Sequence, residues 1–103
     1  MIKYISITKA WHDKINGNTY FSTRIEDVEN DNTYVLPFQY GYGSQHEYAT
    51  KEILNLKGFN SDLPIRFVYI PNCKKSDVDE HGSSDKQYAV YDKEGFFSHY
   101  YLD

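Results

Sequence analysis

The sequence predicts an α+β domain: an antiparallel sheet of five to six strands, with mixed pairing left open, covered by one helix. Two observations carry that reading. Apolar and polar residues alternate with a period of two in short segments before residue 40, at 65–70 and after 87, the mark of half-buried strands. Only residues 45–57 combine helical spacing with a start and a stop signal. The predicted order is β-β-β-α-β-β-β in a single domain spanning 1–103.

Residues 2–11 open the sheet, with Ile5, Ile7 and Trp11 on one face and Tyr4, Ser6 and Thr8 on the other. Asn16-Gly17 in the following turn tolerates positive φ. Thr19 to Ile25 returns with Phe21, Thr23 and Ile25 on one face, and 26–32 reads as a solvated acidic loop. Thr33 to Tyr40 is the third strand, with Tyr34, Leu36, Phe38 and Tyr40 in register. Pro37 cannot donate to a ladder, which puts that strand at an edge or bulges it there.

Gly41-Tyr42-Gly43 then turns the chain into the helix, and either glycine is expected at positive φ. Ser44 and Glu47 match the S-x-x-E capping box. Ala49, Ile53 and Leu56 follow at helical spacing, Gly58 fits the C′ position, and Phe59 is placed to pack on Leu54. After Pro64, residues 65–70 are apolar on both faces, which predicts a central strand. Residues 72–86 are polar and long for so small a domain, and are expected to form a mobile loop. Gln87 to Tyr91 and Phe96 to Leu102 complete a hairpin around Asp92-Lys93-Glu94-Gly95. The elements are read as unrelated segments, with no internal repeat.

Eleven Tyr, six Phe and one Trp in 103 residues supply much of a modest core. The formal net charge of −4 argues against general affinity for duplex phosphate. The single cysteine, Cys73, cannot form an intramolecular disulfide. The N-terminus is too interrupted for a signal peptide and no stretch approaches a membrane span, so a cytoplasmic protein is expected.

The catalytic patterns are incomplete. The glycines at 41 and 43 match neither phosphate-binding fingerprint, and no lysine lies in the first helical turn. Asp77-Val78-Asp79-Glu80-His81-Gly82 has a calcium-loop beginning, but its twelfth position is Tyr88 in place of the bidentate glutamate. His12, His46, His81 and His99 lack zinc spacing, and Cys73 lacks an evident base. No cofactor and no metal are expected. What remains is aromatic: Tyr40 and Tyr42, with Gln45 and His46, are read as a partner-binding surface at the strand-to-helix joint, while Lys3, Lys9, Lys14 and Arg24 could accompany nucleic acid.

Ile15 to Ser22, around N-G-N-T-Y, and Pro37 to Gly43, around F-x-Y-G-Y-G, resemble segments of small uncharacterised proteins encoded by tailed bacteriophages. The likeness covers about the first sixty residues and transfers no catalytic residue. It implies a phage or prophage origin, where small acidic proteins often act by binding. The expected function is a phage accessory protein that binds a protein partner, with inhibition of a host defence factor as the leading case. A single-stranded nucleic-acid binder and a small nucleotide-binding or hydrolytic enzyme are the alternatives, and a homodimer is left open.

Overall fold

The computed structural model describes residues 2–41, 44–56, 63–78, 87–91 and 97–101. Its elements are β1 (Tyr4–Asp13), β2 (Asn18–Asp27), β3 (Asn32–Tyr40), α1 (Gln45–Ile53), β4 (Ile65–Ile70), α2 (Lys75–Val78), β5 (Gln87–Tyr91) and β6 (Phe97–Tyr101). They build an α+β fold around a six-stranded sheet in the order β4-β1-β2-β3-β5-β6. The sheet is mixed, because β4 runs parallel to β1 while every other described pair is antiparallel.

The parallel pair corrects the expected place of β4. Its apolar residues on both faces suggested a central strand, yet β4 forms an edge beside β1. A parallel partner needs a crossover, and the chain supplies one from the end of β3 through α1. That crossover lays α1 on the sheet face that carries Ser6, Thr8, Ala10, Phe21, Thr23, Ile25 and Leu36, all buried. The opposite, more apolar side of β1, with Ile5, Ile7 and Trp11, is only half-buried.

Small hydroxyl residues suit that position because α1 sits directly over them. Thr50 donates to the His46 carbonyl at 2.8 Å and stands 2.9 Å from Ser6 Oγ. With its one proton committed to the carbonyl, Thr50 Oγ1 accepts from Ser6. Thr8 and Thr23 form a second buried hydroxyl pair at 2.8 Å across β1 and β2. Ala49 and Ile53 of α1 add the apolar part of the contact.

β3 is bulged where Pro37 interrupts it. The register passes from Phe21↔Gln39 to Thr23↔Leu36, so Pro37 and Phe38 together oppose Ser22. One extra residue reverses the faces beyond it. Tyr34 and Leu36 therefore lie on the helix side, whereas Phe38 stacks on Tyr20 at 4.8 Å on the other side. Trp11 joins that stack, 5.7 Å from Tyr20. This correction splits the run Tyr34, Leu36, Phe38 and Tyr40 between the two faces.

The ends of α1 also differ from expectation. Ser44 stands at the N-cap but its side chain makes no capping bond, so the Ser44–Glu47 box is not formed. Glu47 N–H is held at 3.0 Å by the Ser44 carbonyl instead. At the other end Asn55 takes φ 53, Asn55 N–H bonds Glu52 O, and Leu56 N–H bonds Lys51 O. That is a complete Schellman ending with Asn55 at C′. It stops the helix before Lys57, and Gly58 and Phe59 lie outside the described residues.

Within 72–86, the structure shows a short helix where a loop was expected. Asn72 turns the chain with φ 59, Cys73 N–H bonds the Ala10 carbonyl at 2.9 Å, and α2 follows with Val78 fully buried. Lys75 Nζ lies 5.8 Å from the Trp11 ring centroid, which places α2 on the sheet face opposite α1. Residues 79–86 and the 92–96 turn lie outside the described residues.

Candidate interaction surface

Tyr40 ends β3 and is 56% exposed, its ring standing edge-on to Tyr20 with centroids 5.8 Å apart. The next residue, Gly41, is buried, and its N–H extends the ladder to Thr19 O at 3.0 Å. A Cβ on Gly41 would lie 2.6 Å from Phe21 Cε1 and 2.9 Å from Gln45 Cγ. Close packing therefore requires glycine here; the positive φ expected at this joint is not adopted by Gly41, and Gly43 lies outside the described residues. Phe21, a core residue, and Gln45, the first residue of α1, are thereby clamped against one backbone position.

That contact holds Gln45 on the α1 side of the sheet, whereas Tyr40, packed on Tyr20, faces the other side. One helical turn on, Tyr48 is 64% exposed and Lys51 stands 5.8 Å from its ring centroid. Residues three apart on a helix share a face, so Gln45, Tyr48 and Lys51 line one side of α1. Exposed rings on short, packed elements lose few rotamers on binding, which makes them efficient anchors. Tyr48 was passed over as a helix-face residue beside the core positions. Its signal is the spacing itself, one turn from Gln45 and one residue off the Ala49–Ile53 stripe.

His46 does not belong to this surface. It points to the sheet side of α1, is buried, and stacks on Tyr69 of β4 with centroids 4.9 Å apart. Phe67 meets the same ring edge-on at 6.4 Å. Tyr42 lies outside the described residues. Of the four residues expected at the joint, Tyr40 and Gln45 are both exposed but on opposite sides of the sheet, and His46 serves the packing of α1 on β4.

The four basic residues do not converge. β1 alone, ten residues long, separates Lys3 from Lys14 by roughly 33 Å. Arg24 is engaged with Glu26 at 3.4 Å, and Lys9 lies mid-strand on β1. Cys73 Sγ lies 3.3 Å from the Ile70 carbonyl. Among the described residues no group of three or more His, Cys, Asp and Glu side chains is arranged to hold a metal, and no helix is long and apolar enough to cross a membrane.

The acidic residues at the two hairpin turns are structural. Asp13 accepts from Ile15 N–H, Asn16 N–H and Asn16 Nδ2 at 3.0, 3.3 and 2.8 Å. Its carboxyl is held below the usual value, first by the Asn16 side-chain bond; desolvation, the next effect in size, opposes this, and the backbone bonds of Asn16 and Ile15 and the charge of His12 add to the lowering. Asp27 makes the same three bonds to Glu29 and Asn30. A depression of about 410 Å³ opens beside this second turn, rimmed by Glu26, Asp27 and Asp31, but the Asp27 oxygens are already taken up by the turn.

No protein-family model matches the chain, and neither the curated proteins nor the solved structures give a match.

Proposed function

We propose that this chain is a small phage-encoded accessory protein that works by binding a protein partner, and that a component of host defence is the class of target. The observation that supports the binding reading is the exposure of Tyr40 and Tyr48, two rings on the elements that flank the closely packed Gly41 joint. The phage assignment rests on the likeness of the 15–22 and 37–43 segments to tailed-phage proteins. A protein partner is favoured over nucleic acid because the net charge is −4, the basic side chains are dispersed, and phosphate affinity scales with converging positive charge.

The test is capture from a host lysate by the purified chain, compared with a Tyr40→Ala/Tyr48→Ala variant and a Val28→Ala control. Val28 is 52% exposed at the second turn, at the opposite end of β2 from the residues that pair with Tyr40. The double variant should fold, by circular dichroism and melting, and lose capture at least about tenfold, while the control retains it. Undiminished capture by the double variant removes the surface. Captured material that disappears on nuclease treatment replaces the protein-binding reading with the nucleic-acid one.

A further inference from the structure

We propose that the outer edge of β4 is a self-pairing surface that joins two copies of this chain into one continuous sheet. β4 is the terminal strand on its side of the sheet, and it pairs with β1 over six consecutive residues without a register shift. The strand, Ile65-Arg66-Phe67-Val68-Tyr69-Ile70, has no proline, lysine or bulge, the devices that usually blunt an edge. Its final residues are open to solvent, Tyr69 at 44% and Ile70 at 40%.

The ladder tells which backbone groups face outward. Tyr4 N–H bonds the Pro64 carbonyl at 3.0 Å. Alternation along a parallel pair then turns Arg66, Val68 and Ile70 toward β1, and Ile65, Phe67 and Tyr69 toward the open edge. A second β4 related by a two-fold axis perpendicular to the sheet can pair antiparallel with these three. Directly opposed residues in an antiparallel pair share a face, so the register must match outward residue with outward residue. One register uses all three: Ile65 opposite the partner's Tyr69, Phe67 opposite its own copy on the axis, and Tyr69 opposite the partner's Ile65. Sliding by two residues sets Ile65 against Pro71, which has no N–H to give.

Charge and side-chain chemistry favour the same register. Arg66, the strand's one charge, faces Val68 of the other copy and not its own equivalent, and an aromatic pair forms at the axis. Such cross-strand pairs add to the main-chain bonds. A second copy is the occupant the observations fit, because the two-fold makes this strand complementary to itself. The surface is separate from Tyr40 and Tyr48 and stands whether or not those residues bind a partner.

The experiment is sedimentation equilibrium across about three decades of concentration, from micromolar to millimolar, on the native chain, Val68→Lys and Val68→Glu. Val68 is half-buried and faces away from α1, so both variants keep the His46 stack, and melting curves verify that they fold. The native chain should dimerise reversibly. Lysine at 68 opposes the partner's Arg66 twice and should weaken the dimer about tenfold, whereas glutamate meets Arg66 twice and should tighten it. If one variant fails to fold, the direction of the other decides. A native chain that stays monomeric at millimolar concentration, including one whose edge pairs only with a strand of another protein, overturns the proposal. So does a dimer that both charges affect alike.

Discussion

The two turns of the β1–β2–β3 meander are built alike. Asp13-Lys14-Ile15-Asn16-Gly17-Asn18-Thr19-Tyr20 and Asp27-Val28-Glu29-Asn30-Asp31-Asn32-Thr33-Tyr34 share the pattern D-x-x-N-x-N-T-Y, an internal repeat that corrects the reading of unrelated segments. In each, the aspartate pairs with the last asparagine across the hairpin, its carboxylate takes two backbone N–H groups and an asparagine amide, and its carbonyl accepts from the residue four along. That fourth residue carries positive φ in both, 73 at Gly17 and 56 at Asp31. They differ in burial and at three positions, Lys14/Val28, Ile15/Glu29 and the positive-φ pair Gly17/Asp31. Asp13 is a half-exposed strand end, whereas Asp27 is buried at 6% and its neighbour Val28 N–H reaches Lys3 O at 2.9 Å. One local solution thus serves an exposed hairpin tip and a turn tied into the sheet.

The sharpest way to break the equivalence is to remove each aspartate. Asp27→Ala leaves three donors partly enclosed and should cost about 2–3 kcal/mol in urea unfolding. Asp13→Ala frees the same donors to water and should cost distinctly less. Equal losses would mean that burial does not separate the turns.

Next in size is the residue at positive φ. Gly17→Asp should destabilise by about 1 kcal/mol, since a Cβ there meets no neighbour within 4 Å and only the backbone conformation opposes it. Asp31→Gly should shift stability the other way by only a few tenths of a kcal/mol, because glycine also loosens the unfolded chain. If the two exchanges have the same sign in thermal melts, strain at this position does not distinguish the turns.

The smallest effect is in pH. The Asp13 carboxyl is lowered on folding, so its contribution is present above the unfolded value, about 3.9, and is lost as the pH falls through the lower folded value. The stability gap between the native chain and Asp13→Asn should hold near neutrality and shrink below about pH 4. A gap that stays constant to acid pH would show that the Asn16 bonds do not depend on the charge.

Much of the sheet is legible in the sequence because strand alternation and the Asn-Gly turn are local signals. The repeat is not, because glycine and aspartate at the fourth position look chemically unlike, and four carboxylates in residues 26–31 read as a solvated loop. The correspondence lies in backbone conformation, which both residues can adopt. The helix-bearing face is hidden for another reason. Ser6 and Thr8 look like a wet face, and only the arrival of Thr50, 44 residues from Ser6, makes them interior. The helix stop is missed because Asn55 takes the position usually given to glycine. The edge position of β4 is missed because residues apolar on both faces occur in a terminal strand as well as in a central one. At the joint, the exposure of Tyr40 and Gln45 is legible because a glycine-flanked strand end exposes its flanks. His46 is misplaced because its burial depends on Phe67 and Tyr69, a non-local contact.

The hydroxyl contact beneath α1 sets how that helix leaves the fold. Oriented bonds from Ser6 and Thr50 make its attachment directional, and Ala49, Ile53 and the stack of His46 on Tyr69 supply the packed area around them. Oily area is the main source of resistance to opening. The helix is accordingly expected to open as a unit while the β1–β2 ladder stays shut. Native-state hydrogen exchange would register this as lower opening free energy for α1 amides than for the central strands. Each opening would carry Gln45 and Tyr48 off the sheet, so the tightness of this attachment sets the fraction of time that the proposed Tyr48 anchor is held in place.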